Sequence, residues 1–350
     1  MAELSNDKIS ILIQVEIERY YTSGPLAVQH PNGTTYLASF SWSHAMTILF
    51  GSQLHNQQTS WRDIAAVLGA MEAGRWYSAY FFDHFLPPWS STADVREHDG
   101  IDTLEGWALM AAAAAITDRL RLGVLVSGNT YRNPALLAKM VATIDVISNG
   151  RAVLGIGAGW NIREHQAYSF DFPSLKERSD RLEEACELIK LLFTSTVNVD
   201  YRGIYYQLQQ APFAPKGVQQ PHVPIMVGGT GQKRTLRTLA KYGDIMNVIA
   251  GPEQVRHLRT VLARHCESVG RDPATIRTTV HVPMRIERNE QKASELRRGA
   301  QWQMIGPPAY LIDRVHDFIA AGVDEFTLQA IPNKPRVYEE LDEEVLSAFD

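Results

Sequence analysis

Asp83 and His84 stand side by side at the end of an apolar run, Trp76 to Phe82, and lead into Pro87, Pro88 and Trp89. An imidazole that titrates near neutrality can exchange a proton with a reacting group, and the carboxylate beside it can orient it or bind a cofactor ring. A capped strand end with His84 hydrogen-bonded in the rim accounts for the pair equally well. Further on, Val153-Leu154-Gly155-Ile156-Gly157-Ala158-Gly159-Trp160 resembles a dinucleotide fingerprint only superficially. Trp160 stands where its last glycine belongs and no helix follows at once, which argues against a nicotinamide site. Crowding at a strand end explains Gly155, whereas Gly157 and Gly159 read as backbone that a flat ligand approaches closely. The next residues, Trp160 to Tyr168, collect aromatic, amide, acidic and basic groups in one loop. Trp160 can stack on a ring system or plug a barrel mouth. Arg163 and Glu164 are by default a solvated pair.

A second glycine cluster, Gly228-Gly229-Thr230-Gly231, joins an apolar strand to a segment carrying Lys233, Arg234 and Arg237. Free amides at a helix start, with the helix dipole and the Thr230 hydroxyl, make an anion site, and phosphate is the natural guest. The spacing is not that of a P-loop.

Other chemistries find no support. The eleven histidines, His98, His165, His222 and His281 among them, show no metal-ligand spacing and no His-Glu-x-x-His, so zinc catalysis is not expected. Ser127 lacks a G-x-S-x-G elbow, which removes a hydrolase triad. Thirty-four Lys and Arg against thirty-nine Asp and Glu give a formal charge of -5, the wrong sign for nucleic acid. Two cysteines, Cys186 and Cys266, make neither a disulfide framework nor a four-thiolate zinc site. No signal peptide and no apolar run of membrane-spanning length is found, so a soluble, cytoplasmic protein is expected, with no membrane partner.

What must position these residues is legible as an alternation of short apolar runs with helical patterns, the mark of βαβ units. Strands are predicted at Met46–Gln53, Trp76–Phe82, Leu120–Val126, Ala152–Ile156, Pro224–Val227, Ile245–Ile249, Ile276–Val282 and Glu325–Ala330. Helices fall between them. One starts at Ser60 with Ile64, Leu68 and Met71 on one face and stops at Gly74, and others span about Leu104–Ile116 and Pro134–Ile147, the latter closed by Asn149-Gly150. A helix capped by Ser174 and Glu177 runs to Phe193 with Leu182, Cys186 and Ile189 inward. The remainder are Thr230–Tyr242, Pro252–Val269, Gln291–Gln303 and Pro308–Ala321. Val197 to Gln207 reads as a β-hairpin insertion around Arg202-Gly203. From Met46 to Ala330 the eight units average about 36 residues, which suits an α/β fold of the (β/α)8 TIM-barrel type, an open doubly wound sheet being the alternative. Residues 1–45 lie outside the repeat as an N-terminal extension, β-rich from the hairpin signal Asn32-Gly33, and 46–350 make the barrel.

With these segments in order, the sequence resembles the bacterial luciferase-like flavin and deazaflavin oxidoreductases, and more closely their F420-dependent branch. The resemblance covers roughly Met46 to Ala330. It rests on Phe82-Asp83-His84-Phe85, on Asn129-Thr130-Tyr131-Arg132-Asn133-Pro134 running to Lys139, on Gly155 to Asn161 with Glu164-His165 and Ala167-Tyr168, on Leu175 to Arg178, and on Val227 to Gly231. It implies a ring system held over the carboxyl ends of the strands near Asp83, His84, Val126 and Ser127, with Asn129, Gly157, Gly159, Trp160 and Asn161 also toward the cofactor. A non-prolyl cis peptide is implied around Val126 to Gly128, and the cofactor phosphate is implied at Gly228, Gly229, Thr230 and Gly231. It further implies hydride transfer between F420 and a small organic substrate, with His84 the first candidate for the accompanying proton and Glu164 or Trp160 the second. FMN with a monooxygenase reaction is the alternative, and a non-catalytic cofactor-binding barrel a third reading. A homodimer is implied by the family alone. Ile162-Arg163 departs from the family pattern, in which acidic or aromatic residues are common there. The extension departs from it as well.

Overall fold

The computed structural model describes residues 26–29, 35–38, 48–87, 101–297 and 303–350. In chain order the strands are β1 (Leu26–Gln29), β2 (Thr35–Ala38), β3 (Leu49–Leu54), β4 (Ser78–Phe81), β5 (Arg121–Val124), β6 (Ser127–Gly128), β7 (Ala152–Gly157), β8 (Val199–Arg202), β9 (Gln207–Ala211), β10 (Ile225–Gly228), β11 (Ile245–Val248), β12 (Arg277–Ile286), β13 (Met304–Gly306) and β14 (Glu325–Ala330). β1 and β2 pair antiparallel, Leu26 opposite Ala38. The rest of the 1–45 segment lies outside the described residues, as do Pro88, Trp89 and His98.

Eight parallel strands close on themselves in the order β3, β4, β5, β7, β10, β11, β12, β14, with β14 back on β3 and β7 joined to β10. This is the (β/α)8 barrel. Its strands are buried on both faces, all six residues of β7 and of β14 among them, which is why they read as continuous apolar runs. β8 and β9 form the antiparallel hairpin inserted before β10. The helices bury the stripes their spacing prescribes. In Trp61–Ala73, Ile64, Val67, Leu68 and Met71 are buried and Ser60 caps the start, its Oγ accepting the Asp63 N–H at 3.2 Å. In Leu175–Thr194, Leu182, Cys186, Ile189 and Phe193 face inward beneath a Ser174 cap.

Four elements differ from expectation. The helix after β10 starts at Thr235, not Thr230, because residues 232–234 make a turn first. The long loop to Pro173 contains a short helix, Ile162–Ala167. The Gln291–Gln303 helix ends at Leu296, and β13 then pairs with β12. Beyond Ala330 a helix, Pro335–Glu344, delivers the buried Tyr338, whose ring lies 5.0 Å from that of Trp76.

At the amino ends of the strands the barrel carries a buried carboxyl, Glu325. Its Oε1 accepts from Ser78 Oγ at 2.7 Å and from the Tyr80 hydroxyl at 3.3 Å, and its Oε2 meets Arg277 Nη1 at 3.1 Å. Burial nevertheless raises its pKa, against the pull of Arg277 and the two hydroxyls.

Candidate functional site

Because all eight strands run the same way, their carboxyl ends share one face, where barrels keep their sites. There a single cavity of about 680 Å³ is lined by Asp83 and His84 after β4, by Val126 and Ser127 after β5, by Gly157, Gly159 and Trp160 after β7, and by Gly228, Gly229 and Thr230 after β10. That volume suits a cofactor or a drug-sized ligand. Four other sequence candidates stand outside the lining: Glu164, Asn129, Asn161 and Gly231. Asn161 is the cap of the Ile162–Ala167 helix, its Oδ1 accepting the Arg163 N–H at 3.2 Å. Asn129 is buried and donates its amide to the Tyr206 hydroxyl at 3.1 Å.

The short helix exists to deliver Glu164, which is fully buried, not solvated as its charge alone suggests. Its Oε2 accepts from His84 Nδ1 at 2.8 Å and from the Tyr131 hydroxyl at 2.7 Å, while Oε1 accepts the backbone N–H groups of Phe85 at 2.7 Å and Leu86 at 3.0 Å. Burial pushes this carboxyl up, but the His84 hydrogen bond and charge, Tyr131 and the Leu86 amide outweigh it and hold the pKa below the ordinary value. An ionised carboxylate only accepts, so the network puts a proton on His84 Nδ1 and leaves Nε2 for the cavity. Trp160, 54% exposed, meets the His84 ring edge-on at 5.4 Å. Burial, then the negative charge of Glu164, raise the Tyr131 pKa far above that of free phenol.

Asp83 is held differently. Its Oδ2 accepts from Ser127 Oγ at 2.6 Å, from Arg132 Nη1 at 2.7 Å and from the Gly128 N–H at 3.3 Å. Burial raises its pKa despite Arg132 and Ser127. Trp107 packs behind, its Nε1 donating to Ser127 Oγ at 3.2 Å. The cis peptide joins Leu125 to Val126, one bond before the expected stretch.

The glycines have a reason that the sequence did not disclose. A Cβ at Gly157 would meet Val126 Cγ2 at 3.0 Å, and one at Gly228 would meet it at 2.8 Å. These two make room for a protein side chain, a reason that stands beside the cavity lining of Gly157. Gly229, at φ +127°, adopts a backbone that L side chains avoid. Its N–H is bonded to the Asn247 carbonyl at 3.0 Å, whereas the N–H groups of Thr230, Gly231, Gln232 and Lys233 have no acceptor among the described residues. The segment expected to cradle an anion is a turn of exposed amides, set ahead of a helix start at Thr235. Arg234 is committed to an ion pair with Asp180.

Sequence reasoning passed over Gln53, Asn247 and His281, which line the cavity from β3, β11 and β12, and Tyr131, quoted only within a motif. A position at a strand's carboxyl end was the signal available for them. Among the described residues no cluster of metal-binding side chains occurs, and no helix is long and apolar enough to cross a membrane.

The family model for luciferase-like monooxygenases matches residues 43–305. An F420-dependent glucose-6-phosphate dehydrogenase of Amycolatopsis mediterranei is 31% identical over 226 residues, 62% of this chain and 63% of that relative. The chain thus spans less than two thirds of that relative's length. A protein of the same name from Kineococcus radiotolerans is 30% identical over 263 residues, 73% of this chain and 74% of the relative. Among solved structures, an F420-dependent secondary alcohol dehydrogenase in complex with an F420–acetone adduct superposes with a TM-score of 0.75 at 21% identity, covering 87% of this chain and 100% of that one. A coenzyme F420-dependent tetrahydromethanopterin reductase from Methanopyrus kandleri gives 0.72 at 19%, with 87% and 99% covered. At these identities the likeness speaks for the fold.

Proposed function

The chain belongs to the luciferase-like monooxygenase family, and from that membership we propose that it is an F420-dependent oxidoreductase acting on a small organic substrate, with His84 as the proton carrier. When bound, F420 accepts or donates a hydride, and the protein's part is to bind, orient and move the proton. The residues fit that cofactor. One cavity reaches both the turn at Gly228–Thr230, whose exposed amides suit a phosphate, and the corner of Asp83, Val126, Ser127 and His84, which suits a ring. The observation that carries the reading is the Glu164-to-His84 hydrogen bond, because it fixes the tautomer in which Nε2 takes a proton from a substrate hydroxyl. Trp160 packs edge-on against the His84 ring. Glu164, buried behind His84, acts as a positioning residue. Two buried free thiols accord with the proposed cytoplasmic location. The proposal keeps a homodimer and a separate 1–45 extension.

The test is a titration of the purified protein with F420 and with FMN, followed by F420 reduction with simple alcohols and glucose 6-phosphate. F420 is expected to bind more tightly. His84→Ala is expected to retain F420 and to lose about 10²–10⁴ in turnover. Preference for FMN, with oxygen uptake by the reduced flavin, decides for the monooxygenase instead. A parent protein that binds F420 and turns over no substrate supports the non-catalytic barrel.

A further inference from the structure

Gln53, Asn247 and His281 line the cavity, and the proton chemistry leaves them unused. The hydrogen-bond role of each is fixed by the partner behind it. Gln53 Nε2 donates to the Leu125 carbonyl at 2.8 Å, an atom that can only accept, so the side chain's other polar atom is its oxygen. Asn247 Nδ2 donates to Thr279 Oγ1 at 2.7 Å and to Thr327 Oγ1 at 3.1 Å. Both hydroxyls have already given their protons to carbonyls, Thr279 to Met246 at 2.9 Å and Thr327 to Val280 at 3.2 Å, so the amide cannot be turned round. His281 Nδ1 lies 2.6 Å from the Thr327 carbonyl, which places its proton there and a lone pair on Nε2. Gln53 Oε1, Asn247 Oδ1 and His281 Nε2 have no partner among the described residues. All three are acceptors. Burial, reinforced by His55 and opposed by the Thr327 carbonyl, drives the His281 pKa down to about 4, so the ring stays a neutral acceptor through the working pH range. No Lys or Arg lines the cavity among the described residues.

Resting on the F420 reading above, we propose that Gln53, Asn247 and His281 form the substrate subsite, and that it selects an uncharged molecule with several hydroxyl or N–H donors over a phosphorylated sugar. A phosphate brings only lone pairs and negative charge to a wall of lone pairs. A substrate without donors leaves three acceptors dry and unpaired, and sites of this kind discriminate strongly against such analogues.

The experiment loads the protein with F420 and follows the fluorescence of the bound cofactor during titration with myo-inositol, glucose and glucose 6-phosphate. At least one neutral polyol is expected to saturate the site with a Kd about 10-fold or more below that of glucose 6-phosphate. His281→Phe and the near-isosteric Gln53→Met are each expected to raise the polyol Kd about 10-fold, with the F420 Kd held within about 2-fold as the check on folding. The proposal is overturned if glucose 6-phosphate binds as well or better, if neither polyol saturates, or if both variants bind polyol like the parent. It is overturned equally if the variants lose F420 in step with polyol, which makes the wall part of the cofactor site. Failure of the parent to bind F420 overturns the proposed function and this subsite with it; the other outcomes leave that function standing.

Discussion

Replacing Glu164 with Gln changes one oxygen to an NH₂ group and removes a charge, with almost no change in shape. Of the four hydrogen bonds this carboxylate accepts, the two from the Phe85 and Leu86 amides come to Oε1, and Gln can keep them on its remaining oxygen. The NH₂ then faces His84 Nδ1 and the Tyr131 hydroxyl. Tyr131 can accept from it. His84 must surrender the Nδ1 proton and carry one on Nε2, which turns its cavity face from acceptor to donor. Two charge-assisted bonds of about 1.5–3 kcal/mol become neutral ones of about 0.5–1.5, a net loss of about 2 kcal/mol and a midpoint lowered by roughly 4 °C. Turnover with any alcohol that reduces F420 should fall about 10²–10⁴-fold while F420 still binds. The effect also has a pH signature. A carboxyl whose folded pKa lies below its unfolded value stabilises fully above the latter, near 4.5, and loses that contribution as pH falls through the lower folded value. The gap between parent and Glu164→Gln should accordingly be widest near neutrality and narrow in acid. Thermal melting from pH 3 to 8, with imidazole ¹⁵N shifts to report the tautomer, checks both parts. Equal midpoints at pH 7, with the Nδ1 proton retained, refute the argument.

Three further outcomes follow from residues elsewhere. Gly229→Ala forces an L side chain to φ +127°, at a cost of about 1–3 kcal/mol, and should weaken F420 binding through the displaced turn, read by denaturant unfolding and cofactor titration. Arg277→Met removes the cation facing Glu325, whose pKa is already raised, so the protein should lose about 3–5 kcal/mol near neutrality. Because a raised folded pKa makes stability fall as pH climbs from the unfolded towards the folded value, part of that loss should be recovered below about pH 5 in melts of the variant. Burial pushes the Cys186 thiol up to about 12 and raises that of Cys266, so iodoacetamide at pH 8 should leave both unmodified in the native protein and label both in urea, as read by intact mass.

The barrel was readable because a strand covered on both faces must be apolar throughout, and all eight such runs were found within a few residues of their ends. Less readable were elements whose signal is short or borrowed. Ile162–Ala167 is too brief to show a helical period, so neither the capping role of Asn161 nor the burial of Glu164 left a signal. The Gly-Gly-Thr-Gly run looked like a helix start because exposed amides and a hydroxyl signal one, while the turn that delays the helix to Thr235 leaves no pattern. His281 looked solitary because its companions come from β3 and β11, and only closure of the sheet brings them to one cavity. Gly157 and Gly228 could be recognised as necessary, but that Val126 fills the space they leave depends on a neighbouring strand.

The buried Glu325 cluster fills the foot of the barrel with Ser78, Tyr80 and Arg277, at the strand ends away from the cavity. The base and the mouth of the barrel can then be altered separately. Substitutions at the foot register as shifts in melting temperature with little trace in ligand affinity, and loops at the rim can be exchanged for a new substrate without disturbing what fills the base.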